Sequence, residues 1–109
     1  MASIKLSKHF QTTFEEVLDY GKNEFGTVAV KRFYQDYVFT RKRLEEHPLS
    51  SPRELLLRDF NRPYRSAIIR KNWKIIYRYD KTCDRIFFVD LWDMRMNPQA
   101  LIKNFNRRR

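Results

Sequence analysis

The sequence predicts an α+β domain: an N-terminal helical hairpin packed on one face of a small antiparallel sheet, with a short C-terminal helix. Three observations carry this reading. Apolar residues recur at helical spacing between Ser7 and Glu46. From Tyr64 to Trp92 aromatic and β-branched residues interleave with Arg and Lys at strand spacing. After Asn97-Pro98 the helical spacing returns. With 109 residues and no internal repeat or linker, the chain reads as one domain over 1–109.

Ile4 to Leu6 is a short strand. Ser7 is an N-cap for a helix to about Phe25, with Phe10, Phe14, Val17, Leu18 and Phe25 on one face. Gly26 closes it, and Thr27 caps a second helix that runs to His47-Pro48 with Val30, Phe33, Tyr37, Val38 and Leu44 inward. So short a connection implies an antiparallel hairpin. A brief helix is expected from Ser51-Pro52 through Leu57, then a loop from Asp59 to Pro63.

Three strands follow, at about 64–70, 73–80 and 85–92. A two-residue turn at Lys71-Asn72 pairs Arg70 with Trp73 and Ile68 with Ile75. That register puts Tyr64, Ile68, Trp73, Ile75, Tyr77 and Tyr79 on the helices, and Arg65, Ala67, Ile69, Lys74, Ile76 and Arg78 on an outward cationic face. In the last strand Phe87, Val89 and Leu91 are assigned to the core, and Ile86, Phe88, Asp90 and Trp92 to the cationic face. Asn97-Pro98 starts the final helix, with Leu101, Ile102 and Phe105 inward and Arg107–Arg109 as a basic, disordered tail.

The charge is segregated. Residues 1–61 carry 10 Lys/Arg against 9 Asp/Glu, while 62–109 carry 13 against 4. A basic field confined to one half fits a polyanionic partner. Cys83 has no disulfide partner, in keeping with a reducing cytoplasm. His9 and His47 lack companions at metal-ligand spacing, so no metal or cofactor is expected. The N-terminus lacks the apolar core of a signal peptide, and the apolar runs are too short to span a bilayer. A cytoplasmic location without membrane contact is expected.

Tyr64-Arg65, the run from Asn72 to Arg78, the run from Ile86 to Trp92, and Arg95 with Asn97-Pro98 occur in order behind a strand and helical hairpin. This set resembles the RelE/ParE superfamily of type II toxin–antitoxin toxins, and the closing D-x-R-x-N-P is similar to a plasmid-stabilisation branch. The resemblance implies a small toxin silenced by a cognate antitoxin protein. RelE-like members cleave mRNA on the ribosome; ParE-like members poison DNA gyrase.

The ribonuclease reading needs fixed cations around a scissile phosphate. By position, the resemblance assigns Arg65 and Lys74 to scissile-phosphate binding and Arg95 to the transition state, and Arg78, on the same expected outer face, is expected to contact the RNA backbone. Ala67 stands where the pattern has a second basic residue, and the closing tyrosine's place falls near Leu101. No histidine sits on the expected cationic face to act as general base, and Asp90 or Asp93 serves only if its pKa is raised. The expectation is a toxin that inhibits translation by ribosome-dependent mRNA cleavage. The alternatives are a non-enzymatic gyrase inhibitor and a degenerate binding module without toxicity. The antitoxin is expected as an acidic or amphipathic helix over the exposed strands.

Overall fold

The computed structural model describes residues 1–108. The chain forms β1 (Ser3–Leu6), α1 (Lys8–Glu46), a 3-10 turn (Leu55–Leu57), β2 (Arg65–Ile69), β3 (Trp73–Asp80), β4 (Arg85–Asp93) and α2 (Pro98–Arg108).

Ser7 caps α1 as expected, its hydroxyl accepting from the Phe10 N–H at 3.0 Å. The helical run breaks at Gly26, where φ 87° and ψ 172° leave the helical region. Its two halves meet through Phe14, whose ring centroid lies 6.1 Å from that of Phe33 and 4.5 Å from that of Tyr37. Phe25 and Val38, assigned inward from spacing, are exposed.

The sheet order is β1-β4-β3-β2. β2, β3 and β4 form the expected antiparallel meander, but β1 runs parallel to β4, so the sheet is mixed. Two local irregularities change which side chains share a face. The β2–β3 connection has three residues, Arg70 to Asn72, with Arg70 at φ 58°. It pairs Ile69 with Trp73 and Ala67 with Ile75, one residue away from the expected register. A slip of one residue turns every side chain over. Ala67 and Ile69 therefore enter the core under α1, while Ile68 is exposed. In β4 the register shifts between Ile76 and Tyr77, leaving Val89 as an extra residue. Ile86 and Phe88 consequently join Phe10 and Tyr37 in the helix-side core, while Val89 packs on the opposite side. Leu91, Asp90 and Trp92 keep their expected phase because the bulge lies before them.

The far face of the sheet is not a bare cationic surface. Leu57, Ile76, Trp92, Leu101 and Phe105 form a second core there, beneath the 3-10 turn and α2. Asn97 caps α2 through the Gln99 N–H at 3.0 Å, and Leu101 and Phe105 point inward as the sequence indicated. The helix continues to Arg108 rather than giving way to a disordered tail; Arg109 lies outside the described residues. Among the described residues no helix is long and apolar enough to cross a membrane.

Candidate functional site

The four cations assigned to the site occupy three separate places. Arg65 lies directly across from Tyr77, a helix-side core residue, so it points to the face opposite Lys74 and Arg78. Its guanidinium donates to the Ser51 carbonyl at 2.7 Å and holds the 49–53 connection against the sheet. The expected face shared with Lys74 and Arg78 is thus corrected by the register of β2.

Lys74 does occupy the far face, but there it is buried at 9% exposure and paired with Glu54, itself 7% exposed. Glu54 also caps the 3-10 turn, accepting from the Leu56 N–H at 3.1 Å. A buried charge is tolerated where it is paired and hydrogen-bonded. The pair therefore clamps the 3-10 turn onto β3, and water reaches the ammonium poorly.

Arg95 follows β4 and is exposed, but Asp93 takes it in a two-pronged grip. Arg95 Nε donates to Asp93 Oδ1 and Nη2 to Oδ2, both at 2.9 Å, with the Arg95 backbone N–H adding a bond of 3.0 Å. These bonds hold the Asp93 carboxyl below the ordinary carboxylate range and push the Arg95 guanidinium up. Asp93 is consequently ionised at neutral pH and still less suited to be a general base.

Arg78 is half-buried, with its Cζ 4.0 Å above the Phe87 ring. Burial and the neighbouring Arg62 guanidinium both lower its pKa.

Sequence reasoning placed His9 away from the cationic face and missed its partner. His9 Nε2 lies 3.2 Å from Asp90 Oδ1, tying the first turn of α1 to the buried Asp90 of β4. Ser7 braces the same junction, donating its N–H to the Phe88 carbonyl at 3.0 Å and its hydroxyl to the Val89 carbonyl at 3.3 Å. Glu54 was missed too. Its one sequence signal is an isolated acid directly before the apolar run Leu55–Leu57, the pattern of a capping residue.

A concavity lies elsewhere, between the kink of α1 at Gly26 and the turn end of the sheet. It encloses about 580 Å³ and is lined by Tyr20, Phe25, Phe33 and Trp73, with Arg70 and Arg95 among its charged members. Tyr20, Phe25, Val28 and Phe39 leave further apolar surface exposed on α1. Among the described residues no three His, Cys, Asp or Glu side chains are grouped to hold a metal.

A helix-covered mixed sheet whose far side is closed by a C-terminal helix is an α+β fold also found in solved structures, and two illustrate it. One is a chain of the chromosomal ParDE TA system from P. aeruginosa, 15% identical, with a TM-score of 0.66 over 85% of this chain and 96% of that one. The other is the metal-bound toxin from Helicobacter pylori, 22% identical, with a TM-score of 0.59 over 87% and 97% of the respective chains. At these identities the likeness speaks for the fold alone. No curated protein matches the chain. Residues 4–98 match the family model of the ParE toxin of the type II toxin–antitoxin system parDE, and the chain belongs to that family. It is the toxin of a type II toxin–antitoxin module, and membership implies an antitoxin partner.

Proposed function

We propose that this toxin acts by binding rather than by cutting RNA, and that its target is DNA gyrase, as for ParE-like members of the superfamily. The observation that carries the reading is that Arg65, Lys74 and Arg95 each have an intrachain partner and lie at three separate places. Cleavage by a neighbouring 2′-hydroxyl needs cations converging on one phosphate. Bringing these three together would require leaving the Ser51 carbonyl, Glu54 and Asp93, and moving Arg65 through the sheet.

The antitoxin occupies the concavity at the Gly26 kink of α1 in this proposal, because α1 covers one face of the sheet and the 3-10 turn and α2 cover much of the other. Its exposed rings, with Arg32, Arg70 and Arg95 nearby, suit an amphipathic segment bearing acidic residues.

The test is a reconstituted supercoiling reaction with purified toxin, gyrase and plasmid DNA. The expected result is loss of supercoiling with accumulation of linear, gyrase-linked DNA, relieved by the antitoxin. Undisturbed supercoiling at micromolar toxin would overturn the gyrase assignment.

A further inference from the structure

Two edge-on ring pairs line the concavity at the Gly26 kink. Tyr20 and Phe25 are exposed, with centroids 6.3 Å apart; Phe33 and Trp73 are half-buried, with centroids 6.2 Å apart. The charged members of the lining are Glu16, Arg32, Arg70, Asp93 and Arg95, and they differ in what they already hold. Asp93 and Arg95 satisfy each other through two side-chain bonds of 2.9 Å. Arg70 donates to Oδ2 of Asp36, an acid outside the lining, at 3.1 Å. Glu16 and Arg32 are exposed, and among the described residues neither has a side-chain hydrogen bond or ion pair, with the other or with any third group.

While the concavity is open, water solvates both unpaired charges. An apolar segment laid across it strips that water, and a desolvated charge left without a partner is costly. The occupant must therefore bring an acceptor to Arg32 and a donor to Glu16, while Arg70 and Arg95 need nothing from it. For a guanidinium the strongest such acceptor is a carboxylate. A purely cationic guest, which four rings would otherwise suit, is opposed by the three guanidiniums of the lining.

We infer that Arg32 and Glu16 determine which antitoxin this toxin accepts. The antitoxin segment seats apolar side chains on the rings, sets a carboxylate on Arg32 and sets a Lys, Arg or amide donor on Glu16. A segment with the two charges in the opposite order meets like charges at both positions and is rejected. The inference rests on the antitoxin occupying this concavity, and it adds which charges there read the partner.

Calorimetric titration of the purified toxin with the purified antitoxin of its module tests both levels. Arg32→Gln should weaken binding about 10- to 100-fold, the loss expected for one charge-assisted contact. Arg32→Glu with Glu16→Arg keeps the net charge and exchanges the two positions. It should weaken binding at least as much, whereas attraction by overall charge would leave affinity unchanged. Lys31→Gln removes one exposed charge of α1 outside the concavity and should cost less than about threefold. Phe25→Ser removes an exposed ring and reports on the apolar seat itself. Unchanged affinity in both Phe25→Ser and Arg32→Gln places the antitoxin elsewhere and overturns the site. A loss with Phe25→Ser but none with Arg32→Gln, or an exchange variant that binds like the parent, keeps the seat and overturns the charge assignment.

Discussion

Changing Lys74 to Met separates a structural lysine from a catalytic one. The substitution keeps the length of the side chain and removes the charge, leaving Glu54 at 7% exposure without its partner. Breaking one side of a buried ion pair costs about 3–5 kcal/mol, because the surviving charge stays desolvated. For a chain of this size that corresponds to a fall in Tm of roughly 12–20 °C. Adding Glu54→Gln removes the stranded charge and keeps an oxygen for the Leu56 N–H that Glu54 caps. The double variant should therefore recover most of the loss, to within about 1–2 kcal/mol of the parent. Urea unfolding followed by circular dichroism measures the parent, Lys74→Met, Glu54→Gln and the double variant. A Lys74→Met protein within about 1 kcal/mol of the parent, or a double variant less stable than both singles combined, would refute the reasoning. It would mean that Lys74 is free to meet a substrate.

Other consequences are equally direct. Gly26→Ala places a Cβ where φ is 87° but where no atom lies within 4 Å, so only backbone strain opposes it; thermal melting should show a loss of about 1–3 kcal/mol. Leu101→Ala opens a hole in the far-side core and should cost about 2–5 kcal/mol by the same assay, whereas a change under about 0.5 kcal/mol would mean that α2 is not seated there. The Asp93 carboxyl, held down by Arg95, contributes stability that is present above its unfolded pKa of about 3.9 and is lost as pH falls through the lower folded value. The stability gap between the parent and Asp93→Asn should accordingly be constant between neutral pH and about 5, and should narrow only below about pH 4.

Features governed by nearest neighbours were legible in the sequence. Ser7, Gly26, His47-Pro48 and Asn97-Pro98 act through their own backbone preferences, and each marks the boundary expected of it. The phase of β3 was legible too, since Lys74 and Arg78 mark one face and Trp73, Ile75, Tyr77 and Tyr79 the other, although Ile76 interrupts the alternation. The β2 register was not. Arg70 adopts a left-handed φ that nothing in the side chain advertises, and one additional turn residue exchanges Ala67 and Ile69 for Tyr64 and Ile68. The bulge at Val89 is equally silent, because β4 is apolar on both phases. The site failed for a longer-range reason. Glu54 finds Lys74 across 20 positions, and the far-side core joins Leu57, Trp92 and Phe105 from three separate segments. Alternation alone cannot say whether a cationic strand face will be left open or roofed over.

The central claim is that the toxin arrests growth without cutting RNA. Cells induced for the toxin alone answer it when transcript 5′ ends on ribosomes and DNA double-strand breaks are mapped in the same time course. The account predicts gyrase-dependent breaks and an SOS response while ribosome-bound transcripts stay intact. New 5′ ends within translated codons appearing before any DNA damage would contradict it.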